Sequence, residues 1–158
     1  MKDTAKKADL KYCIRPMVDS DLSKVVRLET SIFSDPWSRQ SFAESLAEDQ
    51  VGSWVVETQG TIIGYTVTLW VEDEIHILNL AVDDNYRHQG IGTQLLSTLE
   101  KFAKKHQSNH FWLEVRSSNL PAQAFYTKHG FKPLGLRKRY YRNGEDALIM
   151  AKHIGDLE

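Results

Sequence analysis

The sequence has little cysteine, no long apolar run and almost no net charge, and each shortage excludes a class of protein. The single cysteine, Cys13, cannot form an internal disulfide, which fits a reducing compartment. The 20 lysines and arginines and 21 aspartates and glutamates give a net charge of −1, so no overall field attracts nucleic acid or an anionic membrane. No apolar run approaches the roughly 18 residues of a membrane-spanning helix, and residues 1–11 lack the apolar segment of a secretory signal. We therefore expect a cytoplasmic protein that neither crosses a membrane nor binds nucleic acid directly.

The composition is that of an ordinary folded domain. The chain has 158 residues, of which 41% are hydrophobic and 26% are charged, close to the averages for globular domains. A chain of this length can bury one sizeable hydrophobic core without disulfides or metals. We expect a flexible tail over residues 1–10 and a single domain over residues 11–155.

The hydrophobic pattern predicts the element order strand–helix–helix–strand–strand–strand–helix–strand–helix–strand–strand. Thr58-Gln59-Gly60 and Asn143-Gly144 are hairpin-turn signals. Asn119 is placed to cap a helix with Pro121 in its first turn, and Gly130 is placed to end that helix. Because hairpins outnumber crossovers, the pattern favours an α/β (α+β) fold with one mixed sheet and helices on both faces.

The most informative segment is a loop between a strand and a helix, with the sequence Arg87-His88-Gln89-Gly90-Ile91-Gly92. Free N–H groups at a helix start suit a phosphate, and glycine lets the backbone approach it closely. The segment lacks the third glycine of a dinucleotide-binding fingerprint and the Gly-Lys-Ser/Thr of a P-loop. Two glycines that only shape a tight turn remain the alternative.

Three later side chains could take part in proton transfer or ligand binding. Glu114, at the end of a strand, could accept a proton, or it could be an exposed carboxylate paired with Arg116 or a lysine. Tyr126 could donate a proton, or it could pack in the core beside Phe125. Asn119 is first of all a helix cap. The residue types alone leave these alternatives open.

The cysteine and the histidines are weaker candidates for a catalytic or metal site. We expect Cys13 to be a buried structural thiol, because it lies in the first strand with no histidine or helix start near it in the sequence. His106 and His110 are spaced for one helix face, but Ser108 and Asn109 indicate that the helix has ended. Since no third ligand follows, we expect no metal site.

Taken together, these segments resemble the GNAT family of N-acetyltransferases over about residues 12–153. The loop from Arg87 to Gly92 is similar to the acyl-CoA pyrophosphate loop of that family. Four further segments resemble its RimI-type branch, whose members acetylate the N-terminal alanine of a small-subunit ribosomal protein. They are Pro36-Trp37-Ser38, Trp112-Leu113-Glu114-Val115-Arg116, Asn119 with Ala124-Phe125-Tyr126, and Tyr140-Tyr141 with Glu145-Asp146-Ala147.

The resemblance implies a GNAT fold, with a mostly antiparallel sheet of about six or seven strands, and acetyl-CoA as co-substrate. It implies direct transfer to an N-terminal α-amine of a ribosomal protein, with Glu114 as proton acceptor and Tyr126 as proton donor to the leaving thiolate. An α-amine with a pKa of about 7.7–8.0 asks less of its base than a lysine with a pKa of about 10.4. The cofactor-binding residues that the resemblance implies are Leu80, Ala81, Val82, Arg87, His88, Gln89, Gly90, Ile91, Gly92, Thr93 and Asn119.

The basic run Arg137-Lys138-Arg139 followed by Tyr140-Tyr141 has three interpretations. Positive charge mixed with aromatics is typical of RNA-binding surfaces, and a solvated basic strand is also possible. In RimI-type proteins this region lies beside the acceptor cleft, which is the interpretation we prefer.

Two other functions stay open at this point. The chain could be a GNAT enzyme that acetylates a lysine side chain or a small amine. It could also be a catalytically silent module that binds CoA or RNA, although a silent module would not need both Glu114 and Tyr126. We expect an active enzyme that is a monomer or a weak dimer.

Overall fold

One seven-stranded sheet forms the centre of the computed structural model, which describes residues 10–154. Its strands are β1 (Cys13–Pro16), β2 (Val51–Thr58), β3 (Thr61–Val71), β4 (Glu74–Val82), β5 (His110–Arg116), β6 (Lys132–Arg137) and β7 (Ala147–His153). They stand in the order β1-β2-β3-β4-β5-β7-β6, and each neighbouring pair is antiparallel except β4 and β5, which are parallel. The predicted mixed, mostly antiparallel sheet is confirmed.

The described residues also form four α-helices, in the predicted order. They are α1 (Leu22–Ile32), α2 (Arg39–Leu46), α3 (Ile91–Lys105) and α4 (Leu120–Lys128). The Ser38 side chain caps α2 by accepting the N–H of Ser41. The Asn119 side chain caps α4 by accepting the N–H of Ala122, and Gly130 follows that helix with a φ of +94°. The signals at Asn119 and Gly130 therefore predicted the two ends of α4 correctly.

The helices cover both faces of the sheet, as the sequence predicts. Successive side chains of a strand point to opposite faces of the sheet, so Val55 and Val56 of β2 contact different helical layers. Val55 belongs to the buried cluster that includes Phe42 of α2. Val56 belongs to the cluster that includes Ile91 and Leu95 of α3. Thus α1 and α2 pack on one face, and α3 and α4 pack on the other.

The two parallel strands β4 and β5 separate along their length. Their pairing begins at Glu74 with His110 and ends at His76 with Trp112. Strand β4 continues to Val82 beside β3, with an irregular register around Asn79. Within the described residues, no strand lies alongside residues 80–82 on the β5 side. A gap therefore opens in the sheet between the carboxyl ends of β4 and β5.

Two sequence-based expectations need correction. Cys13 lies in β1 but is exposed, because β1 is an edge strand in which the neighbouring Ile14 faces the core cluster instead. Asn143 and Gly144 do form a turn, in which the N–H of Gly144 bonds to the carbonyl of Tyr141. This turn lies inside a longer connection over residues 138–146, so it is not a tight two-residue hairpin.

The predicted domain boundaries remain a prediction. Residues 1–9 and residue 155 lie outside the described residues. Leu10, the last residue of the expected tail, is half-buried and packs, like Tyr12 and Ile14, against the buried cluster that contains Val56 and Ile63.

Candidate active site

A carboxylate lies just beyond the point where β4 and β5 separate. The Glu114 side chain is 9% exposed, and its Oε1 is 2.8 Å from Nε2 of His76. Its Oε2 is 3.3 Å from Nε of Arg137. His76 is the last residue of β4 that pairs with β5, and its ring stacks on Trp112 with centroids 3.7 Å apart. Among residues 10–154, Glu114 therefore pairs with His76 and Arg137 and not with Arg116 or a lysine, the partners that the sequence left open.

Sequence reasoning missed His76, although it contacts Glu114 directly. His76 stands inside an apolar strand segment, and only the pairing of β4 with β5 brings it beside Glu114. A carboxylate that acts as a proton acceptor must be ionised and can only accept hydrogen bonds, so in that role Glu114 accepts a hydrogen bond from Nε2–H of His76. This bond fixes the orientation of the carboxylate, which suits a group that accepts a proton from a bound amine.

Tyr126 is buried on the other face of the sheet. It is 7% exposed, and its ring meets those of Phe125 and Phe131 edge-on, with centroids 5.2 Å apart in each case. Burial raises the pKa of the hydroxyl above its ordinary value, so the hydroxyl stays protonated at neutral pH. These contacts agree with core packing, and the protonated hydroxyl is the form that a proton donor requires.

Glu114 and Tyr126 can act on one reacting group only through the gap. Tyr126 packs in the same cluster as Leu113 and Val115. Since side chains alternate along β5, Glu114 points to the opposite face. The separation of β4 and β5 is therefore the feature that would let the two residues reach one ligand from opposite sides.

The predicted glycine loop leads directly into α3. Gly90 is the residue before the helix, has a φ of +80°, and offers no side-chain cap. The first N–H groups of α3 therefore have no capping side chain among the described residues and can receive an anion. Nε of Arg87 forms an ion pair with Oδ1 of Asp84 at 2.7 Å, and Oγ1 of Thr93 lies 3.1 Å from Nε2 of His129. The loop has the features of a phosphate site, with polar side chains at its edge.

Gly90 and Gly92 are glycines for different physical reasons. A Cβ at Gly90 would meet no described atom within 4 Å, but its positive φ disfavours other residues. A Cβ at Gly92 would lie 2.9 Å from two ring carbons of Phe125. Gly92 therefore allows α3 and α4 to approach closely, a packing role that the sequence did not reveal.

Asn119 is confirmed as a cap, and its other implied role can be separated from that one. Its Oδ1 accepts the N–H of Ala122 at 3.1 Å. We expect Asn119→Ala to lower the free energy of unfolding by about 1 kcal/mol, because the cap is lost. Asn119→Asp retains a capping oxygen but loses the amide donor, so we expect normal stability and weaker acetyl-CoA binding. Thermal unfolding and calorimetric titration measure the two effects. If Asn119→Asp binds acetyl-CoA with the wild-type affinity, Asn119 serves only as a helix cap.

Arg116 contacts residues of two different connections on the surface beside Glu114. Its guanidinium lies 3.5 Å from Asp35, 3.2 Å from Glu145 and 4.0 Å from the ring centre of Tyr141. Hydrogen bonds from Ser118 and Arg116 lower the pKa of Glu145 to about 2, so it is ionised at neutral pH. The connection between α1 and α2 and the connection between β6 and β7 are thus joined at the end of β5.

His106 and His110, whose spacing would suit one helix face, do not come together. His106 lies at the end of α3 with its ring 4.0 Å from that of Trp70, whereas His110 begins β5 and lies 3.2 Å from His153. Among residues 10–154, no group of three or more histidine, cysteine, aspartate or glutamate side chains could hold a metal ion. No helix in that part of the chain is long and apolar enough to cross a membrane.

Comparison with known proteins places this arrangement in a family. The sequence profile of the acetyltransferase (GNAT) family matches residues 22–131. A Bacillus subtilis protein provisionally named as a ribosomal protein bS18-alanine N-acetyltransferase is 39% identical over 142 residues, 89% of this chain and 94% of that protein. The Escherichia coli K12 ribosomal protein bS18-alanine N-acetyltransferase is 34% identical over 141 residues, 87% of this chain and 95% of that protein.

The fold agrees with the sequence comparison. The crystal structure of the ribosomal-protein-S18-alanine N-acetyltransferase from Escherichia coli matches with a TM-score of 0.84 at 32% identity. The match covers 94% of this chain and 97% of that one. Acetyl-CoA is the co-substrate typical of the family. The chain belongs to the GNAT family of N-acetyltransferases, as the segments from Pro36 to Ala147 predict.

Proposed function

We propose that this acetyltransferase transfers the acetyl group of acetyl-CoA to the N-terminal alanine of a ribosomal protein of the bS18 type. The observation that carries the proposal is the Glu114 carboxylate, oriented by His76 where β4 and β5 separate. The relatives at 34–39% identity, whose names state this activity, support the choice of acceptor.

The residues around the gap fit the two polar parts of acetyl-CoA. Residues 87–93 would hold the pyrophosphate, because the N–H groups that begin α3 are uncapped and the helix dipole favours an anion there. The free edge of residues 80–82 would bond the amide groups of the pantetheine arm. Asn119, at the start of α4, would add a side-chain contact. The bound acetyl-CoA supplies the thioester.

The proton transfers are assigned to residues on the two faces of the gap. Glu114 accepts the proton that the amine nitrogen loses as its bond to the acetyl carbon forms. Tyr126 gives its proton to the sulfur as the carbon–sulfur bond breaks, and it is reprotonated from solvent. Arg137 is 48% exposed, so the incoming neutral amine can replace it beside Glu114. The acetyl group passes directly to the amine, without a covalent enzyme intermediate.

The surface tied together by Arg116 is where the acceptor would enter. Asp35 comes from the α1–α2 connection, and Tyr141 and Glu145 come from the β6–β7 connection. Arg137 and Tyr140 lie next to it, with the guanidinium 5.6 Å from the ring centre. This placement supports an acceptor cleft rather than an RNA-binding surface. We propose that the enzyme works in the cytoplasm as a monomer or weak dimer, through a single domain over residues 11–155.

We expect acetylation of a peptide with a free N-terminal alanine and almost none of an N-blocked peptide that contains lysine. At pH 7 about a tenth or more of an α-amine is neutral, against about 0.04% of a lysine side chain. Incubation of both peptides and a small amine with acetyl-CoA, followed by mass spectrometry, measures the preference.

Equal acetylation of the lysine peptide or of the small amine would overturn the proposed acceptor. Acetyl-CoA binding without thiol release in the presence of any amine would instead indicate a silent CoA-binding module.

A further inference from the structure

A buried carboxylate outside the candidate active site joins three parts of the fold. Glu29 lies in the last turn of α1 and is 2% exposed. Its Oε2 accepts the N–H of Trp37 at 2.9 Å. Its Oε1 accepts Nδ2 of Asn79 at 2.9 Å and the hydroxyl of Tyr65. Burial and the neighbouring Glu29 raise the pKa of Tyr65 above its ordinary range, so its hydroxyl remains a donor.

The stability of α1 does not explain this carboxylate. A negative charge in the last turn of a helix is disfavoured by the helix dipole. A buried charge is also costly unless hydrogen bonds satisfy it. The three donors to Glu29 come from β3, β4 and the α1–α2 connection. The side chain therefore serves contacts between elements rather than its own helix.

One of these contacts holds the connection that faces the acceptor. Trp37 follows Asp35 by two residues, and Oδ2 of Asp35 lies 3.5 Å from Arg116. Arg116 in turn lies 3.2 Å from Glu145. The connection over residues 33–38 is thus bound to Glu29 on one side and to the end of β5 on the other.

The second contact holds the strand that faces the thioester. Asn79 stands where the register of β3 and β4 is irregular, directly before Leu80. Its backbone carbonyl accepts the hydroxyl of Thr66 at 2.8 Å, while its side chain donates to Glu29. Both the main chain and the side chain of Asn79 are therefore fixed where the free edge of residues 80–82 begins.

We propose that Glu29 is a positioning residue that holds the acceptor-facing connection and the thioester-facing strand in one relative geometry. The inference rests on the proposed function, since it assigns these two segments to the two substrates. Glu29 touches neither substrate and acts through the N–H of Trp37 and the amide of Asn79. A small displacement of either segment would misalign the amine and the thioester. The rate of group transfer is sensitive to such a misalignment.

Glu29→Gln tests the side that faces the acceptor. The amide oxygen of the glutamine can accept the hydrogen bonds of Tyr65 and Asn79, but its NH₂ group then faces the N–H of Trp37. Since two donors cannot bond to each other, the connection over residues 33–38 loses its bond to residue 29. We expect KM for the acceptor peptide to rise about tenfold, with Kd for acetyl-CoA changed less than about twofold. Hydrogen exchange at the Trp37 amide should become faster.

Tyr65→Phe is the matched control, because it removes one donor to Glu29 and leaves the other two. It should lower Tm without changing KM or exchange at Trp37. Asn79→Ala leaves the carboxylate in place and releases only the strand, so we expect kcat to fall about tenfold with KM for the peptide retained. This variant also keeps the inference testable if Glu29→Gln gives little folded protein.

The measurements separate this inference from the proposed function. If Glu29→Gln changes KM and exchange at Trp37 no more than Tyr65→Phe does, Glu29 is only structural and the inference is wrong. If the wild-type enzyme does not acetylate N-terminal alanine, the proposed acceptor is wrong. The exchange comparison needs no acceptor, so it decides whether Glu29 holds the connection in either case.

Discussion

Glu114→Gln is expected to lower kcat by about 10²–10³-fold, because a positioned general base contributes roughly 10²–10⁴-fold to such reactions. Glutamine has nearly the same shape and can still accept a hydrogen bond from Nε2 of His76, so the site should keep its structure. The variant should bind acetyl-CoA as the wild-type enzyme does. Because glutamine cannot take up a proton, the loss of rate should appear across the whole pH range. Steady-state rates over about pH 6–9 and calorimetry measure these effects.

Glu100→Gln is a matched control for the loss of a carboxylate. Glu100 lies on α3 and is paired with Lys152 at 3.2 Å, outside the pairs that Glu114 forms with His76 and Arg137. We expect kcat to remain at the wild-type value in this variant. If turnover of Glu114→Gln equals that of Glu100→Gln across the pH range, Glu114 is not the proton acceptor.

The parts of the fold that depend on neighbouring residues could be predicted from the sequence. Helix α3 begins after Gly90, and the β2–β3 turn lies at Gln59 and Gly60, because glycine and the hydrophobic period act locally. The cap at Asn119 has the same origin. The order of these local units then favoured the mixed sheet.

The contacts that give the site its geometry could not be predicted in this way. His76 and Glu114 are 38 positions apart in the chain, and Glu29 and Asn79 are 50 apart. Each pair exists only because particular strands are neighbours in a particular register, which no local pattern specifies. Exposure of Cys13 has a similar cause, since the residue type does not reveal that β1 is an edge strand.

Gly92→Val is expected to weaken acetyl-CoA binding about a hundredfold or more, a loss of about 2.7 kcal/mol. Two physical causes predict the same loss. The valine side chain would narrow the approach of a phosphate to the first N–H groups of α3. It would also meet the ring of Phe125, since a Cβ at Gly92 would lie 2.9 Å from that ring. Calorimetric titration of Gly92→Val alone therefore cannot separate phosphate binding from helix packing.

A double-mutant cycle with Phe125→Ala separates the two causes, because it removes the clashing ring from both members of the comparison. If the loop holds the pyrophosphate, Gly92→Val should still weaken binding at least about tenfold in the Phe125→Ala background. Recovery to the affinity of Phe125→Ala alone would mean that Gly92 serves only the contact between α3 and α4. The phosphate site would then depend on Gly90 and the uncapped start of α3. Gly90→Val tests this site, because a Cβ at residue 90 lies within 4 Å of no described atom. That variant strains the positive φ at a position where the added Cβ lacks the Phe125 contact of Gly92, so its effect on acetyl-CoA affinity tests the loop conformation.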